Sequence, residues 1–178
     1  RARNWAQAVL LFEHMLQAGI MPDQFSYNAL IAAAHRAGEP TEEAYTVFER
    51  MLRAGIQPNE MTYTNLIAAC GVHGHWQRAL ATMKEMREMK GLRAGTVCYT
   101  ALISALGRAG QCDAALKALA SMQDERVRPN TMTFSAAITA CERAGRWEEA
   151  LGLLSQMKAR GVPANVVTLS ASVRACGR

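Results

Sequence analysis

Hydrophobic and polar positions along the chain repeat with a period of about 35 residues. A large apolar residue recurs at intervals of 36, 36, 35 and 35 residues, at Tyr27, Tyr63, Tyr99, Phe134 and Leu169. Further apolar residues follow each of these at helical spacing, and eleven residues after the first four stand Gly38, Gly74, Gly110 and Gly145. Glycine commonly ends helices because it tolerates positive φ. The pattern predicts an amphipathic helix at the start of each repeat, followed by a turn.

A second amphipathic helix is predicted after each turn. It carries an Ala followed seven residues later by a Met, in the pairs Ala8/Met15, Ala44/Met51, Ala79/Met86, Ala115/Met122 and Ala150/Met157. Tryptophan stands three residues before the Ala in three repeats, at Trp5, Trp76 and Trp147. These residues share one helical face, so we expect the Met column and the three Trp residues to pack in the core. A glycine and, in three repeats, a proline then end the hairpin, at Gly19, Gly55, Gly91 and Gly161 and at Pro22, Pro58 and Pro129.

The two helices make a helix-turn-helix unit that cannot bury its apolar face alone, so neighbouring units must stack. The sequence therefore predicts an all-α solenoid of antiparallel hairpins. With the recurrent aromatic residue as position 4, the complete repeats are 24–59, 60–95, 96–130 and 131–165. A second-helix partial repeat in 1–23 precedes them, and a first-helix partial repeat in 166–178 follows. Single insertions, one at Glu39-Pro40-Thr41 and one before Gly95, explain the two 36-residue repeats.

The first helix has two faces of different composition. Positions 4, 7, 8 and 11 are mostly apolar and predict a core face, whereas positions 2, 5, 9 and 13 lie within about 80° of one another on the other side. Position 13 is Arg36, Val72, Arg108, Arg143 and Arg178, and position 5 is Asn28, Thr64, Thr100, Ser135 and Ser170. Position 9 is mostly small. Helix propensity alone would favour Ala or Leu at position 5, so these polar residues indicate a binding face.

The motif Tyr-Asn/Thr-x-Leu-Ile, then Gly, Ala, Met, Gly and Pro-Asn/Asp at fixed offsets, resembles the P-type repeat of the pentatricopeptide repeat (PPR) family over the whole chain. Tetratricopeptide repeats carry Trp early in the first helix, but here Trp occurs only in the second, which disfavours a protein-binding array of that class. The resemblance implies a right-handed superhelical α-solenoid in a mitochondrion or chloroplast, where about one repeat addresses one base of single-stranded RNA.

The resemblance also implies site residues. Base-reading pairs would be Asn28 with Asn59, Thr64 with Gly95, Thr100 with Asn130 and Ser135 with Asn165, and Ser170 would begin a further pair. In 5′ to 3′ order the family code reads these four pairs as a pyrimidine (C favoured), undefined, A and A. Base-sandwiching residues would be Phe25, Met61, Val97, Met132 and Val167. Phosphate-contacting residues would be Arg36, Arg108, Arg143 and Arg178. The alternatives are solvated cations at helix C-termini for the arginines, and helix capping for the Asn, Thr and Ser column.

Charge and cysteine content narrow the function classes. The net charge is +5, and sixteen of the twenty cationic residues are Arg, which suits phosphate. No apolar run is long enough to cross a membrane. We expect Cys70, Cys141 and Cys176, all at position 11, to be buried; Cys98 and Cys112 stand alone in sequence. Without any Cys-x-x-Cys pair, we expect no zinc site, no disulfide framework and a reducing compartment. His73 and His75 also lack further ligands at metal spacing, so no metal or cofactor is expected.

No phosphate loop, nucleophile elbow or zinc-hydrolase helix occurs, so we expect no enzyme within these residues. Three hypotheses remain. The first is single-stranded RNA binding in organellar RNA processing, stability or translation. The second is a structural role, docked on rRNA or protein in an organellar ribosome or another large ribonucleoprotein. The third is an RNA-targeting array for an appended nuclease or other domain. The chain begins without Met and ends inside a repeat, so we expect it to be part of a longer protein.

Overall fold

The computed structural model describes residues 2–176, which fold into ten α-helices. The described residues form two compact units, which divide between Arg93 and Ala94. The first unit contains α1 (Ala2–Gln17), α2 (Gln24–Ala37), α3 (Thr41–Arg53), α4 (Glu60–Val72) and α5 (Trp76–Glu88). The second contains α6 (Thr96–Arg108), α7 (Cys112–Asp124), α8 (Thr131–Arg143), α9 (Trp147–Ala159) and α10 (Val166–Cys176).

The helices pair as the repeat pattern predicts. The hairpins are α2/α3 and α4/α5 in the first unit, and α6/α7 and α8/α9 in the second. First helices stack on one another within a unit, α2 on α4 and then α6 on α8 and α8 on α10. This arrangement confirms the all-α helical-hairpin fold, while the right-handed superhelix stays a prediction. None of the helices in residues 2–176 is long and apolar enough to cross a bilayer.

The hairpin turns depend on glycine in the left-handed region. Gly110 has φ +73° between α6 and α7, and the next amide, of Gln111, donates to the Leu106 carbonyl over 2.9 Å. A Cβ built on Gly110 would meet nothing within 4 Å, so the requirement is conformational and not steric. Gly38, Gly74 and Gly145 also have positive φ, which confirms the predicted terminators. After α7 a non-glycine residue, Arg126, occupies this region with φ +58°.

The insertion before Gly95 alters how α5 ends. In the hairpin α2/α3 the Met51 carbonyl accepts from the Ile56 amide, five residues further on, over 3.1 Å. At the end of α5 the equivalent Met86 carbonyl accepts from Met89 instead, over 3.3 Å, and Met89 is extended. The extra residue is therefore absorbed in the loop and leaves the helices in register.

The predicted core face is confirmed in the four complete repeats, where every residue at positions 4, 7, 8 and 11 is buried. Aromatic rings pack edge to face inside the first unit, with centroids 5.1 Å apart for Phe12 and Tyr27 and 5.7 Å apart for Phe48 and Tyr63. Buried apolar rings and chains of this kind supply most of the stability of helical repeats.

Three expectations about the core are wrong at particular residues. Leu169 and Val173, on the predicted core face of α10, are 49% and 72% exposed, and Cys176 is exposed instead of buried. No second helix follows α10 in residues 2–176 to cover that face. Trp147 is 48% exposed because it is the first residue of α9, at the hairpin end.

The other Trp residues and the Met column of the second helices are buried to different degrees. Trp5, Trp76 and Met15 are only partly buried, whereas the other Met residues of the column are buried, namely Met51, Met86, Met122 and Met157. The Met column is therefore core along the complete hairpins, and the Trp residues lie at its margin.

Candidate nucleic-acid interface

A groove in the second unit brings together three classes of predicted site residue. It runs along α6 and α8 and reaches Val167 on α10. Its lining includes position 5 (Thr100, Ser135), position 2 (Met132, Val167), position 9 (Ser104, Thr139) and position 13 (Arg108, Arg143). Hydroxyl groups, exposed apolar side chains and guanidinium groups thus share one surface, as expected for a site that holds both bases and phosphates.

Close helix packing forms the floor of this groove. A Cβ built on Gly107 would lie 2.9 Å from the Ala140 Cβ and 3.4 Å from the Ala140 Cα. Only glycine lets α6 approach α8 this closely without displacing its neighbour. Gly107 therefore sets the depth of the groove between the two position 13 arginines.

The five position 2 residues all project into solvent. Phe25 is 80% exposed and Val97 is 65% exposed, and the other three are more than half exposed, namely Met61, Met132 and Val167. Apolar side chains of this size are exposed at the same position of each repeat, whereas those at positions 4, 7, 8 and 11 of the complete repeats are buried. Their placement is compatible with sandwiching bases, which stays a prediction.

The position 5 residues lie deeper than a solvent-facing column would. Asn28, Thr64 and Ser135 are buried, with Asn28 only 8% exposed, while Thr100 and Ser170 are half-buried. The hydroxyl groups of Thr100 and Ser135 each donate to the carbonyl four residues earlier, at Thr96 and Thr131, over 2.7 Å. Position 5 thus lies beneath the exposed position 2 residues, and base reading by this column stays a prediction.

The last-residue asparagines cap the helix of the next repeat. Asn59 precedes α4, and its side-chain Oδ1 accepts from the Thr62 amide over 3.0 Å. Asn130 does the same for Thr133 of α8 over 3.0 Å. Asn165 Oδ1 likewise accepts from the Thr168 amide, over 2.9 Å. Capping therefore belongs to the last residue of repeats 24–59, 96–130 and 131–165. Gly95 ends repeat 60–95 without a side chain, so α6 has no side-chain cap.

In the first unit the predicted pair Asn28 and Asn59 is hydrogen-bonded. Asn28 Nδ2 donates to Asn59 Oδ1 over 3.1 Å, and Asn59 Nδ2 donates to Gln24 Oε1 over 2.7 Å. The structure thus brings this pair together. Gln24, at position 1, is a neighbour that the repeat pattern alone does not reveal, because its role depends on the fold.

Position 1 side chains recur as ties to the loop that ends the same repeat. Gln24 Nε2 donates to the Gln57 carbonyl over 2.7 Å. Thr96 and Thr131 hydroxyls donate to the Arg128 and Pro163 carbonyls, over 3.0 and 2.9 Å. The start of each of these first helices is therefore joined to the segment that carries the last-residue Asn.

The position 13 arginines within the described residues, Arg36, Arg108 and Arg143, are all exposed. Val72 takes this place in α4 and is 40% exposed, and the neighbouring His73 bonds through Nε2 to the Glu39 carbonyl over 2.7 Å. Arg178 lies outside the described residues.

An ion pair that the sequence did not indicate joins α8 and α10. Arg174, at position 9, donates from Nε and Nη2 to the two carboxylate oxygens of Glu142 over 2.8 and 3.1 Å. Glu142 is buried, and its hydrogen bonds raise the pKa of the Arg174 guanidinium. A bidentate pair of this kind fixes the relative position of two side chains more firmly than a single contact.

Two cysteines far apart in sequence meet in the core. Cys112 and Cys141 are buried free thiols whose Sγ atoms lie 3.6 Å apart, so Cys112, which stands alone in sequence, has a cysteine neighbour in the fold. Burial raises the pKa of Cys141 to about 12, which keeps it a neutral thiol. Within residues 2–176, no three His, Cys, Asp or Glu side chains converge on a possible metal position.

Comparison with known proteins places these features in a family. The family model "Pentacotripeptide-repeat region of PRORP" matches residues 1–146, and the "PPR repeat family" model matches residues 133–178. Among curated protein sequences, none matches significantly.

Solved structures of pentatricopeptide repeat proteins are also similar to this chain. PPR10 from maize is 33% identical over 98% of this chain, with a TM-score of 0.73. PPR10 in complex with an 18-nucleotide psaJ RNA element is 26% identical over 91% of it, with a TM-score of 0.80. The chain spans about a quarter of the PPR10 length, 24% and 25% in these two structures. The PPR domain of Arabidopsis thaliana PRORP1 in complex with tRNA, 91% of which is covered, shares the fold at 19% identity over 98% of this chain and a TM-score of 0.78. The chain belongs to the pentatricopeptide repeat family.

Proposed function

We propose that this chain binds single-stranded RNA, with about one repeat addressing one base, and acts in organellar RNA processing, stability or translation. The observation that carries the proposal is the groove of the second unit, where hydroxyls, exposed apolar side chains and arginines line one surface. The RNA complex of the similar PPR10 supports the same ligand class. No catalytic group is assigned to these residues, so any nuclease or other activity would belong to an additional domain.

The arginines supply the sequence-independent part of the binding. Arg108 and Arg143 are exposed and lie in the groove one repeat apart. Guanidinium groups stay charged and donate in pairs to phosphate oxygens. Replacing both by Ala should weaken binding to every RNA sequence. The slope of log affinity against log salt should flatten by about 0.7 for each phosphate that the variant no longer neutralises.

The measurement is fluorescence anisotropy with short single-stranded RNA at several salt concentrations. Arg53→Ala is the matched control, because Arg53 is exposed on the second helix α3 and pairs with Glu49 over 3.0 Å. A double variant whose affinity and salt slope equal those of the wild type would contradict the proposed phosphate contacts.

The base-selective part is tested at Asn130. Its Oδ1 caps α8, so the Nδ2 donor is the amide group left to face a base. Asp keeps the capping oxygen and replaces that donor by an acceptor. Asn130→Asp should therefore move the preference at the third base from A towards G, whose Watson–Crick edge carries donors. Unchanged preference, with affinity still dependent on Arg108 and Arg143, would favour docking on RNA through phosphate and shape alone.

A further inference from the structure

Two buried threonines lie beneath the proposed base-reading pairs. Thr62 and Thr133 are both at position 3 of a first helix and are 0% exposed. Each makes three hydrogen bonds with the asparagine that ends the preceding repeat, two of which are the reciprocal bonds of a capping box. The Thr62 hydroxyl accepts from the Asn59 amide over 3.1 Å, and the Thr133 hydroxyl accepts from the Asn130 amide over 3.3 Å. Together with the caps that Asn59 and Asn130 provide, these bonds form a capping box at the start of α4 and of α8.

The same hydroxyls also reach position 5 of the preceding repeat. Thr62 Oγ1 donates to Asn28 Oδ1 over 2.6 Å. Thr133 Oγ1 lies 2.8 Å from Thr100 Oγ1, and the Thr100 proton is already donated to the Thr96 carbonyl over 2.7 Å. Thr133 Oγ1 also donates to Asn130 Oδ1 over 3.0 Å, as Thr62 Oγ1 does to Asn59 Oδ1 over 3.1 Å, so either hydroxyl can be the donor between Thr133 and Thr100. In each of these two repeats, one buried hydroxyl group thus touches both members of the proposed base-reading pair.

This bridge fixes which polar atoms are available to a base. Turning the Asn130 amide over would place its Nδ2 donors against the Thr133 amide, which is itself a donor. The Thr133 hydroxyl adds a second donor to Asn130 Oδ1, and its contact with Thr100 Oγ1 occupies one side of the Thr100 hydroxyl. The bridge therefore holds both side chains in one orientation, and selectivity between similar bases requires such fixed donors and acceptors.

We propose that Thr62 and Thr133 are positioning residues that set the base specificity of the repeat preceding each of them. The proposal rests on the proposed base reading and adds to it a buried residue outside the ligand contact surface. Thr62 acts on the first base, through Asn28 and Asn59. Thr133 acts on the third base, through Thr100 and Asn130.

The next repeat offers a graded comparison. Thr168 makes the same cap with Asn165, over 2.9 and 2.8 Å. The Ser135 hydroxyl, however, donates to its own helix at Thr131, and among the described residues Thr168 makes no hydrogen bond to Ser135. Thr168 thus has the capping role without the bridge.

The test measures dissociation constants of the 178-residue chain for RNAs that carry C-U-A-A within oligouridine, with the first, third or fourth base varied. Thr133→Val, which keeps shape and removes the hydroxyl, should reduce the preference for A at the third base by about threefold to tenfold. Its preference at the first base should be unchanged. Thr62→Val should give the reverse pattern, and Thr168→Val should reduce preference at the fourth base less than either.

Two variants guard against a simple loss of stability. Thr133→Ser should restore the preference, because it restores the hydroxyl. Thr133→Cys should reduce the preference and still fold, since the same helix position in α6 holds the buried Cys98. Thr41→Val is the matched control: Thr41 is also 0% exposed, and its hydroxyl bonds to His75 at a hairpin turn instead of the binding face.

The outcomes separate the two proposals. Suppose that the wild type prefers A at the third base, and that Thr133→Val lowers the affinity equally for the RNAs with A, C, G or U at that base. The threonine is then a helix cap only, and the inference is overturned. If the wild type shows no preference at any base while still binding RNA through its arginines, base reading itself fails, and the inference fails with it.

Discussion

Repeats 24–59 and 96–130 share helices, turns and a capping asparagine, but they leave different polar groups open. In the first, Asn28, Asn59 and Gln24 form a closed amide network in which Asn59 Nδ2 donates to Gln24 Oε1. In the second, position 1 is Thr96, whose short hydroxyl bonds to the loop at Arg128. Asn130 is exposed there, whereas Asn59 is half-buried. The residue at position 1 therefore decides whether the Nδ2 group of the capping asparagine is bonded to a neighbour or open to solvent.

The two repeats also differ in how closely their first helices approach the next. Position 12 is Gly107 in α6 and His35 in α2. Because a Cβ at residue 107 would lie 2.9 Å from the Ala140 Cβ, Gly107→Val should force α6 and α8 apart. We expect a destabilisation of about 1–3 kcal/mol, the usual range for overpacking. Thermal unfolding followed by circular dichroism measures it.

Gly152→Val is the control for this substitution. Gly152 is a helical glycine on α9, and a Cβ there would meet nothing within 4 Å. Its replacement should leave the unfolding temperature unchanged or slightly raised, since glycine is unfavourable in a helix interior. If both substitutions lower the unfolding temperature equally, close packing against α8 does not explain why residue 107 is glycine.

Replacing the capping asparagine by Asp should change the free energy of unfolding by different amounts in the two repeats. At Asn130 the change preserves the cap and faces solvent. At Asn59 the new carboxylate oxygen would face Gln24 Oε1, so that two acceptors oppose each other where a 2.7 Å hydrogen bond existed. We expect Asn59→Asp to cost about 1 kcal/mol more than Asn130→Asp. Equal unfolding free energies in urea would show that the amide network of repeat 24–59 contributes nothing to stability.

The sequence predicted those features of the fold that follow from the repeat period and from the spacing of apolar residues along a helix. Burial of Tyr63, Ile67 and Cys70 follows from the spacing of one helical face, and the structure agrees. The 49% exposure of Leu169 was not predicted, because the repeat period makes this position equivalent to Tyr63 and does not show which helices cover it.

The candidate site was predictable as a set of positions but not as a network. The Asn-x-x-Thr spacing at 59–62 and 130–133 is a capping signal that was available in the sequence. The bridge from Thr133 to Thr100 joins residues 33 apart and depends on how α6 packs on α8. The Glu142–Arg174 pair spans 32 residues in the same way. Contacts of this kind require the fold.

The loops that end the two repeats provide a smaller test. Gly55 has φ +73° after α3, and Arg126 has φ +58° after α7. A side chain in this region costs about 1 kcal/mol. Arg126→Gly should therefore raise the unfolding temperature by about 2–4 °C, the shift expected for about 1 kcal/mol in a chain of this size. The reciprocal Gly55→Arg should lower it by a similar amount; changes of the same sign in both would contradict the conformational explanation.

The smallest expected effect comes from a substitution at position 1, the position that distinguishes the two repeats. Gln24→Thr gives repeat 24–59 the residue type of repeat 96–130 and removes the acceptor of the Asn59 amide. The freed Nδ2 group should strengthen the preference for a pyrimidine at the first base about twofold to threefold, as gain of one hydrogen bond allows. Gln24→Glu is the control, because it keeps an acceptor beside Asn59 and should leave the preference unchanged even if its charge weakens binding to all RNAs. A preference that stays the same in both variants would mean that Gln24 does not compete with the base, and the difference between the two repeats would then lie in position 5 alone.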